Sequence, residues 1–517
     1  MAHTHSKVII IGGGIAGLCA AVYAQRCGYQ ADVYEMHDTP GGLATSWRRG
    51  GYTFETCLHW LLGSSPDSTM HAQWAEVFDI DKLTFLNPEE YLRFENERGD
   101  CLKIYSNIDL LEAEMLQRAP DDAKEIHAFT SAIRRLSNFR LPDPAAGLAG
   151  NWRTYLHDLP YLPLLHQLSH IRSSEYGKRF TNQLLRGFFG EGETAQLSAI
   201  ALFFSLAWMS RHNAGYPIGG SQAIIRLIAE RLTSLGGHLH LGAKVERILV
   251  EHDTAVGIEL ANGEKIAADW VISAADGYAT HHTLLHGRYT DAAAELAFHR
   301  LETFPSYLQV SLGVALDLSQ HPGFFTRLLD VPLQVDPATE LRQVSFRIFH
   351  FDPTFAPAGK TAVTCFLPTR NFQYWTSLRE KDTIAYAAAK HGVAEQVLAI
   401  LERKIPYVRS AIEVVDVSTP ATVIRYTGNW KGSMEGWMLT PATSFRQFRN
   451  TLPGIDRFRM AGQWIMPGGG LPSGLLTARS AIQTICLQDH VPFNRPQQPF
   501  RGVPPTAAAR PTSAAAH

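Results

Sequence analysis

Four consecutive apolar residues, Val8 to Ile11, precede a glycine run and then an apolar-rich stretch from Ile15 to Arg26 that Gly28 closes. The short run reads as a strand buried on both faces, and the longer stretch as a helix with a glycine stop. Ala31 to Glu35 repeats the strand pattern. The alternation resumes far downstream. Gly215 to Gly237 gives a glycine turn and an amphipathic helix, with Ser221 near its start. His238 to Asp276 then reads as several strands, with Asn262-Gly263 marking a hairpin and Trp270–Ala275 another buried strand. Between these blocks, Asp67 to Ala195 is mostly helical in pattern with few strand runs, and Asp121–Leu136 is clearly amphipathic.

After Tyr278 the segments "SYLQVSLGVALDL", "LRQVSFRIFHFD" and "TAVTCFLP" predict an antiparallel sheet. Phe346, Ile348 and His350 are expected on one side, Arg347 and Phe349 on the other. Such a sheet can floor a cavity for a long apolar ligand or simply pack on helices; the pattern leaves both open. "DTIAYAAAKHGVAEQVLAILERKIP" reads as a helical pair ended by Pro406. The predicted class is α/β: a Rossmann-like domain assembled from separated segments (1–66, 211–290 and 450–490) with an inserted α+β domain (67–210 and 291–449) whose sheet is mainly antiparallel. The tail, 491–517, is rich in Pro, Ala and Thr and is expected to be disordered.

The first block carries chemistry. Gly12, Gly14 and Gly17 match GxGxxG between a strand and a helix. The spacing gives a tight turn, a close backbone approach to a pyrophosphate, and close helix–strand packing. Ile15 and Ala16 open the helix whose free N–H groups and positive dipole end face the phosphates. Glu35 lies 21 residues after Gly14 (35 − 14), the distance for binding ribose hydroxyls. This unit alone leaves FAD and NAD both open.

"HDTPGGLATSW" then places Gly41 and Gly42 six residues after Glu35. This resembles the second signature of flavoproteins related to amine oxidases and phytoene desaturases. "GYTFETCLHW" resembles the stretch that follows the doublet in phytoene desaturases and carotenoid isomerases, with Glu55 in place of the usual Asp. Within that superfamily the chain is similar to the desaturase, carotenoid isomerase and retinol saturase branch, through "GYTF" and "PGGGLP". The resemblance implies FAD as cofactor. It places Met36, Gly41, Gly42, Leu43 and Ala44 around it, with Leu43 where Arg is usual and Arg48 and Arg49 close by in sequence. It implies that "PIGG" opens a helix returning to the FAD domain, and that the Val245 backbone contacts the adenine. Gly462 and Gln463 stand where Gly-Asp or Gly-Glu serves the ribityl chain. Gly468, Gly469 and Gly470 pass the isoalloxazine edge, with Leu471 and Pro472 leading into a helix from about Gly474 to Cys486. His59 and Trp60 fall where the family's chain passes the flavin; no catalytic acid or base is identified.

Composition narrows the partners. A net charge of -2 gives no support to nucleic-acid binding. Six scattered cysteines show no metal spacing and read as reduced, mostly buried thiols, and His238 and His240 lack further ligands nearby, so no metal is expected. With no signal-peptide pattern the chain is expected in the cytoplasm; Leu197–Met209 is too short to span a bilayer and reads as a buried helix, leaving a peripheral membrane contact open. The implied activity is a flavin-dependent desaturation, saturation or cis–trans isomerisation of a polyene, carotenoid or other isoprenoid lipid, so the partner is an apolar small molecule. The alternatives are an amine or other small-molecule oxidase, and a non-catalytic FAD-binding protein. Sequence leaves the oligomeric state undefined.

Overall fold

The computed structural model describes residues 6–56, 58–140, 147–192, 194–290, 292–444, 446 and 448–493. Five parallel strands form one sheet, in the order His238–His240, Gln30–Tyr34, Lys7–Ile11, Trp270–Ser273, Phe458–Met460. The unbroken Val8–Ile11 run has a direct cause: both faces are covered. Val8 and Ile10 pack with the helices Ile15–Arg26, Gly220–Ser234 and Gly470–Gln488. Ile9 and Ile11 pack on the other side with the ribbon Val245–Glu251, Thr254–Leu260 and Lys265–Ala267. Asn262-Gly263 is the turn inside that ribbon, as the sequence indicated.

The glycine signature fits this packing. A Cβ on Gly17 would stand 1.9 Å from the Gly12 carbonyl oxygen, so only glycine lets the helix lie this close to the strand turn.

The second sheet has seven strands in the order Ile412–Ser418, Ser306–Val314, Thr361–Thr369, Thr339–Ile348, Phe324–Asp336, Glu90–Glu95, Cys101–Tyr105. All neighbours are antiparallel except Phe324–Asp336 and Glu90–Glu95. The Glu90–Tyr105 hairpin comes from the region whose pattern is mostly helical. Cys101–Tyr105 is the edge strand and Glu90–Glu95 lies one in from it; the charges on the inner strand are paired, Arg93 with Glu90 at 2.7 Å and Glu95 with Lys404 at 2.5 Å, and they blur the apolar alternation.

One face of this sheet carries Phe346, Ile348, Val363, Cys365 and Leu367, packed against Trp375 and the helix Thr383–Lys404. The opposite face carries Gln343, Ser345, Arg347, Thr364 and Phe366, and these line a cavity. His350 leaves the pattern: the strand ends at Ile348, and Phe349–Phe351 is a single turn of 3₁₀-helix. The expected helical pair after Asp382 is one 22-residue helix, because a lone glycine, Gly392, does not break it. Asp382 caps its start by accepting from the Ile384 and Ala385 amides, at 3.1 and 2.8 Å. It stops just before Ile405-Pro406.

Over the cavity lies a helical layer. Ala123–Leu136 buries Ile126, Phe129, Ile133 and Leu136, the face its pattern predicted. Ala199–Ser210 is the thirteen-residue apolar segment's helix; Phe203, Leu206 and Ala207 are buried, while Ala201, Leu202 and Ser205 face the cavity. At the C-terminal end the expected disorder does not begin at 491. The Val491 amide donates to the Cys486 carbonyl at 2.8 Å, and the Phe493 ring lies 5.7 Å from that of Tyr23 with Arg479 over it. The remainder of the tail, 494–517, lies outside the described residues.

Candidate active site

A cleft of about 420 Å³ opens at the carboxyl ends of the parallel strands. Gly12, Gly14, Ile15, Ala16, Glu35 and Met36 line one side. Gly41, Gly42, Leu43 and Ala44 close over them; the Gly41 amide donates to the Gly13 carbonyl at 2.9 Å. Val245, Gly462, Gln463, Gly470 and Leu471 complete the predicted lining. Gly17 stands behind the cleft as packing, and Gly469 and Pro472 line an adjoining cavity. Arg48 and Arg49 do not reach the cleft: they lie on the exposed Ser46–Arg49 strand, with Arg49 3.9 Å from Asp416. Neither of them replaces the missing charge at Leu43, and the described lining of the cleft contains no arginine.

The cleft suits a dinucleotide. A Cβ on Gly14 would meet only the Gly41 carbonyl oxygen, at 3.7 Å, so glycine here keeps space open rather than relieving a clash. Gly14 is the N-cap of the Ile15–Arg26 helix and supplies no side-chain cap, which leaves first-turn amides available to phosphate oxygens. Glu35 is buried at the end of its strand; its Oε2 accepts from the Gly13 amide at 2.6 Å and its Oε1 from the His37 amide at 2.9 Å. Its carboxylate thus ties the glycine turn to the next loop while facing the cleft. Glu35→Ala is expected to weaken FAD binding by roughly 1.5–3 kcal/mol, about 10- to 100-fold. Fluorescence titration of the apoprotein measures this; an unchanged dissociation constant removes Glu35 from the site.

Residues that the spacing did not flag also line or shape the cleft. Thr477 Oγ1 accepts from the Gly462 amide at 2.8 Å, fixing the turn after the last parallel strand. Asp276, at the end of the Trp270–Ser273 strand, accepts from the Ala279 and Trp430 amides at 2.8 and 2.9 Å. Burial pushes its carboxyl up to about 6, against the lowering effect of those amides. Since the folded value exceeds the ordinary 3.8, the folded state binds this proton more tightly than the unfolded state. The Asp276 contribution to stability therefore falls as pH rises from about 4 to about 6 and is constant above. Asp276→Asn should flatten that part of a pH–melting profile; an unchanged slope would rule the assignment out.

The cleft continues into a cavity of about 470 Å³, with Leu43, Met434, Glu435, Gly470 and Leu471 common to both. That cavity merges with the sheet-floored one, about 410 Å³, through Leu58, His59, Trp60, Ala201 and Phe366. Glu435 borders all three spaces. Its neighbour Gly436 accepts from the Phe304 amide at 2.8 Å, so the "SMEGW" loop is a partition held from the sheet side. No local spacing in the sequence singles Glu435 out.

The helix after the C-terminal glycines begins at Gly470, four residues earlier than expected. Gly468, Gly469 and Gly470 all have positive φ (94°, 57° and 76°), which accounts for three successive glycines. Pro472 fits in the first turn, where its missing N–H costs no hydrogen bond.

His59 and Trp60 stand where the two cavities merge, and neither lines the cleft itself. The accessible surface of His59 faces the interior cavity. Depth, together with the Arg347 guanidinium, holds its imidazole well below the usual histidine range, so it is neutral at physiological pH. Trp60 packs on Trp208 with ring centroids 5.9 Å apart. The sequence-flagged histidines elsewhere are structural: His238 Nδ1 lies 2.9 Å from Asp32, and His240 stacks on Tyr34 at 4.5 Å. Among the described residues no group of His, Cys, Asp and Glu could hold a metal ion.

Residues 15–486 match the family model of flavin-containing amine oxidoreductases. The chain belongs to this family. It is 26% identical to prolycopene isomerase of Daucus carota over 94% of this chain and 81% of that protein. It is 25% identical to a neurosporene-forming phytoene desaturase of Cereibacter sphaeroides, over 90% and 92% of the two chains. Among solved structures, an oxidoreductase from Methanosarcina mazei superposes with a TM-score of 0.59 at 18% identity, covering 92% of this chain and all of that one. Putrescine oxidase bound to putrescine gives 0.58 at 14%, covering 93% and 99%. The family member described here is an FAD-dependent oxidoreductase, which excludes a purely non-catalytic FAD-binding role.

Proposed function

We propose that this family member acts on C–C or C=C bonds of a polyene, carotenoid or other isoprenoid lipid. The observation that carries the reading is the continuity of the dinucleotide cleft with an apolar, sheet-floored cavity. Leu341, Gln343, Ser345 and Arg347 form a row along that floor, and the strand steps from the first to the last span roughly 20 Å, long enough for an extended conjugated segment. The relatives named for prolycopene and phytoene support the same class. FAD, when bound, would accept a hydride in desaturation or return one in saturation. Gly12–Gly17, Gly41–Ala44 and Glu35 would hold its pyrophosphate and ribose; Val245 would meet the adenine through its backbone; Gly462, Gln463 and Gly469–Pro472 would hold the ring end. The chain's residues would then exclude water and align the reacting bond, with Glu435 at the junction of cleft and cavity and His59 and Trp60 where the two cavities merge. We further assign 67–210 and 291–449 to one substrate domain, since the Glu90–Tyr105 hairpin completes the cavity sheet.

Anaerobic flavin spectra of the holoprotein, recorded against polyenes and amines, test this reading. Bleaching by an amine, with no response to any polyene in either flavin oxidation state, would transfer the protein to the amine oxidases.

An apolar substrate of this kind resides in membranes. No helix among the described residues is long and apolar enough to cross one. Trp152, Leu156, Leu159 and Leu162 are nevertheless 54, 57, 53 and 52% exposed along the helices Gly147–Asp158 and Leu162–Ser169 and the turn that joins them, a concentration unusual for a surface facing only water. Arg153 stacks on Trp152, and Arg135 donates to the Pro160 carbonyl at 3.0 Å, giving the patch a basic rim. This patch would rest on the membrane surface. The protein should co-sediment with anionic phosphatidylglycerol vesicles, and Trp152→Glu/Leu156→Glu should release it at least about tenfold. Equal sedimentation of both proteins would rule out this patch.

A further inference from the structure

The cavity proposed for an apolar chain has one cation among its described lining residues, alongside the carboxylates of Glu55 and Glu435. Arg347 lies mid-wall in its lining, only 9% exposed, between Phe324 and Thr364 on the neighbouring strands. The guanidinium carbon sits 4.8 Å from the centroid of the Phe324 ring. Nη1 donates to the Leu58 and His59 carbonyls at 3.4 and 3.5 Å, both at the long limit, and Nε has no partner at all. Among the described residues the group forms no ion pair. The nearby carboxylate, Glu55, is engaged elsewhere: it accepts from the Ser221 amide and hydroxyl, at 2.9 and 2.8 Å, and from the Leu58 amide at 3.2 Å, tying "GYTFE" to the start of the "PIGG" helix. Gln309 and Gln343, in the same lining, each leave a buried amide oxygen without a partner.

A guanidinium stays protonated in proteins and carries a large desolvation cost when buried without an anion. A cavity shaped for a hydrocarbon alone gains nothing from one. The rest of the sheet face shows that this position could have been apolar, since Phe366 and Leu341 occupy equivalent places. Resting on the polyene reading above, we propose that the substrate carries an anionic oxygenated end group, a carboxylate, which Arg347 receives through Nε and its outer nitrogens. The cation–π contact with Phe324 and the two carbonyl bonds orient the guanidinium plane, so the fork presented to the carboxylate is preorganised. The chain of the substrate then runs along Ser345, Gln343 and Leu341, beneath Phe188 and Leu202. The end group would thereby set which double bond stands beside Glu435 and the flavin.

Binding of parinaric acid, a conjugated tetraene carboxylic acid, tests this on the FAD-loaded protein, with its methyl ester and the matching tetraene hydrocarbon as comparisons. Tetraene fluorescence reports occupancy in each case. The acid should bind about 10- to 100-fold more tightly than the ester, as for loss of one charge-assisted bond pair. Arg347→Met should remove that preference while leaving ester affinity within about threefold of the unmodified protein, the apolar contacts being retained; Arg347→Lys should restore it in part. Equal affinity of acid and ester for the unmodified protein overturns the carboxylate proposal and leaves the polyene reading standing. Failure of all three ligands to bind overturns both. Should Arg347→Met not fold, the acid-to-ester ratio on the unmodified protein still decides.

Discussion

Gly17→Ala should yield protein without flavin and with a measurably lower melting temperature. The added methyl would sit 1.9 Å from the Gly12 carbonyl oxygen and 3.3 Å from an Ile10 methyl carbon. Neither can withdraw cheaply: Ile10 is a fully buried residue of the central parallel strand, and the Gly12 amide donates to the Tyr34 carbonyl at 2.8 Å. The helix must therefore lift from the sheet, which takes its N-terminus away from the phosphate position. Overpacking of this kind costs about 1–3 kcal/mol or more in stability, and the displaced helix should cost FAD affinity beyond about 100-fold. Gly14→Ala is the informative partner. There the new methyl meets only the Gly41 oxygen at 3.7 Å, at a backbone angle (φ -75°) any residue adopts. Its melting temperature as apoprotein should change by no more than a degree or two, on the order of 0.5 kcal/mol, while FAD binding falls because the methyl occupies the cleft. Thermal melts and released-flavin assays separate the two. Parallel behaviour of both variants would contradict the division into a packing glycine and a ligand-facing glycine.

Gly469→Val should abolish turnover and alter the flavin absorbance while the adenosine end remains gripped. The site meets two objections to a side chain at once. Its backbone (φ 57°, ψ -146°) is essentially closed to residues with a Cβ. A Cβ would also stand 2.5 Å from the Glu435 carbonyl oxygen and 2.6 Å from the Glu435 Cβ. Bulk at this glycine therefore presses on the Glu435 partition. Displacing that partition changes the wall between cleft and cavity, so activity should fall at least about 100-fold, some 2.7 kcal/mol of barrier, with FAD affinity reduced far less. Loss of FAD equal to the loss of activity would place Gly469 in cofactor retention instead.

How far the sequence carries depends on the range of the interaction. The GxGxxG turn, the Ile15–Arg26 helix and Glu35 at its strand end were legible because local backbone geometry demands those residues at those positions. The second sheet was half legible: the inward and outward sets around Phe346 and Arg347 followed from alternation, but the Glu90–Tyr105 hairpin did not, since paired charges on the Glu90–Glu95 strand hide the alternation. Gly470 begins its helix early because proline in a first turn is compatible with helix, whereas the glycine run suggested loop. Glu435, Asp276 and Thr477 carry no spacing signal. Asp276 and the Glu435 loop are tied to segments more than a hundred residues away, through Trp430 and Phe304, whereas Thr477 bonds to Gly462 in its own segment; only packing brings Glu435 to the junction of the three cavities.

The central claim is that a flavin held in the cleft meets a polyene held over the sheet. It is tested most directly by product analysis of a polyene incubated anaerobically with the holoprotein, once with oxidised and once with chemically reduced flavin. The account predicts that in at least one of the two states the polyene gains or loses a double bond or changes its double-bond geometry, and that Gly469→Val does not perform the reaction. Unchanged polyene in both states, with amines oxidised under air by the same preparation, would contradict it.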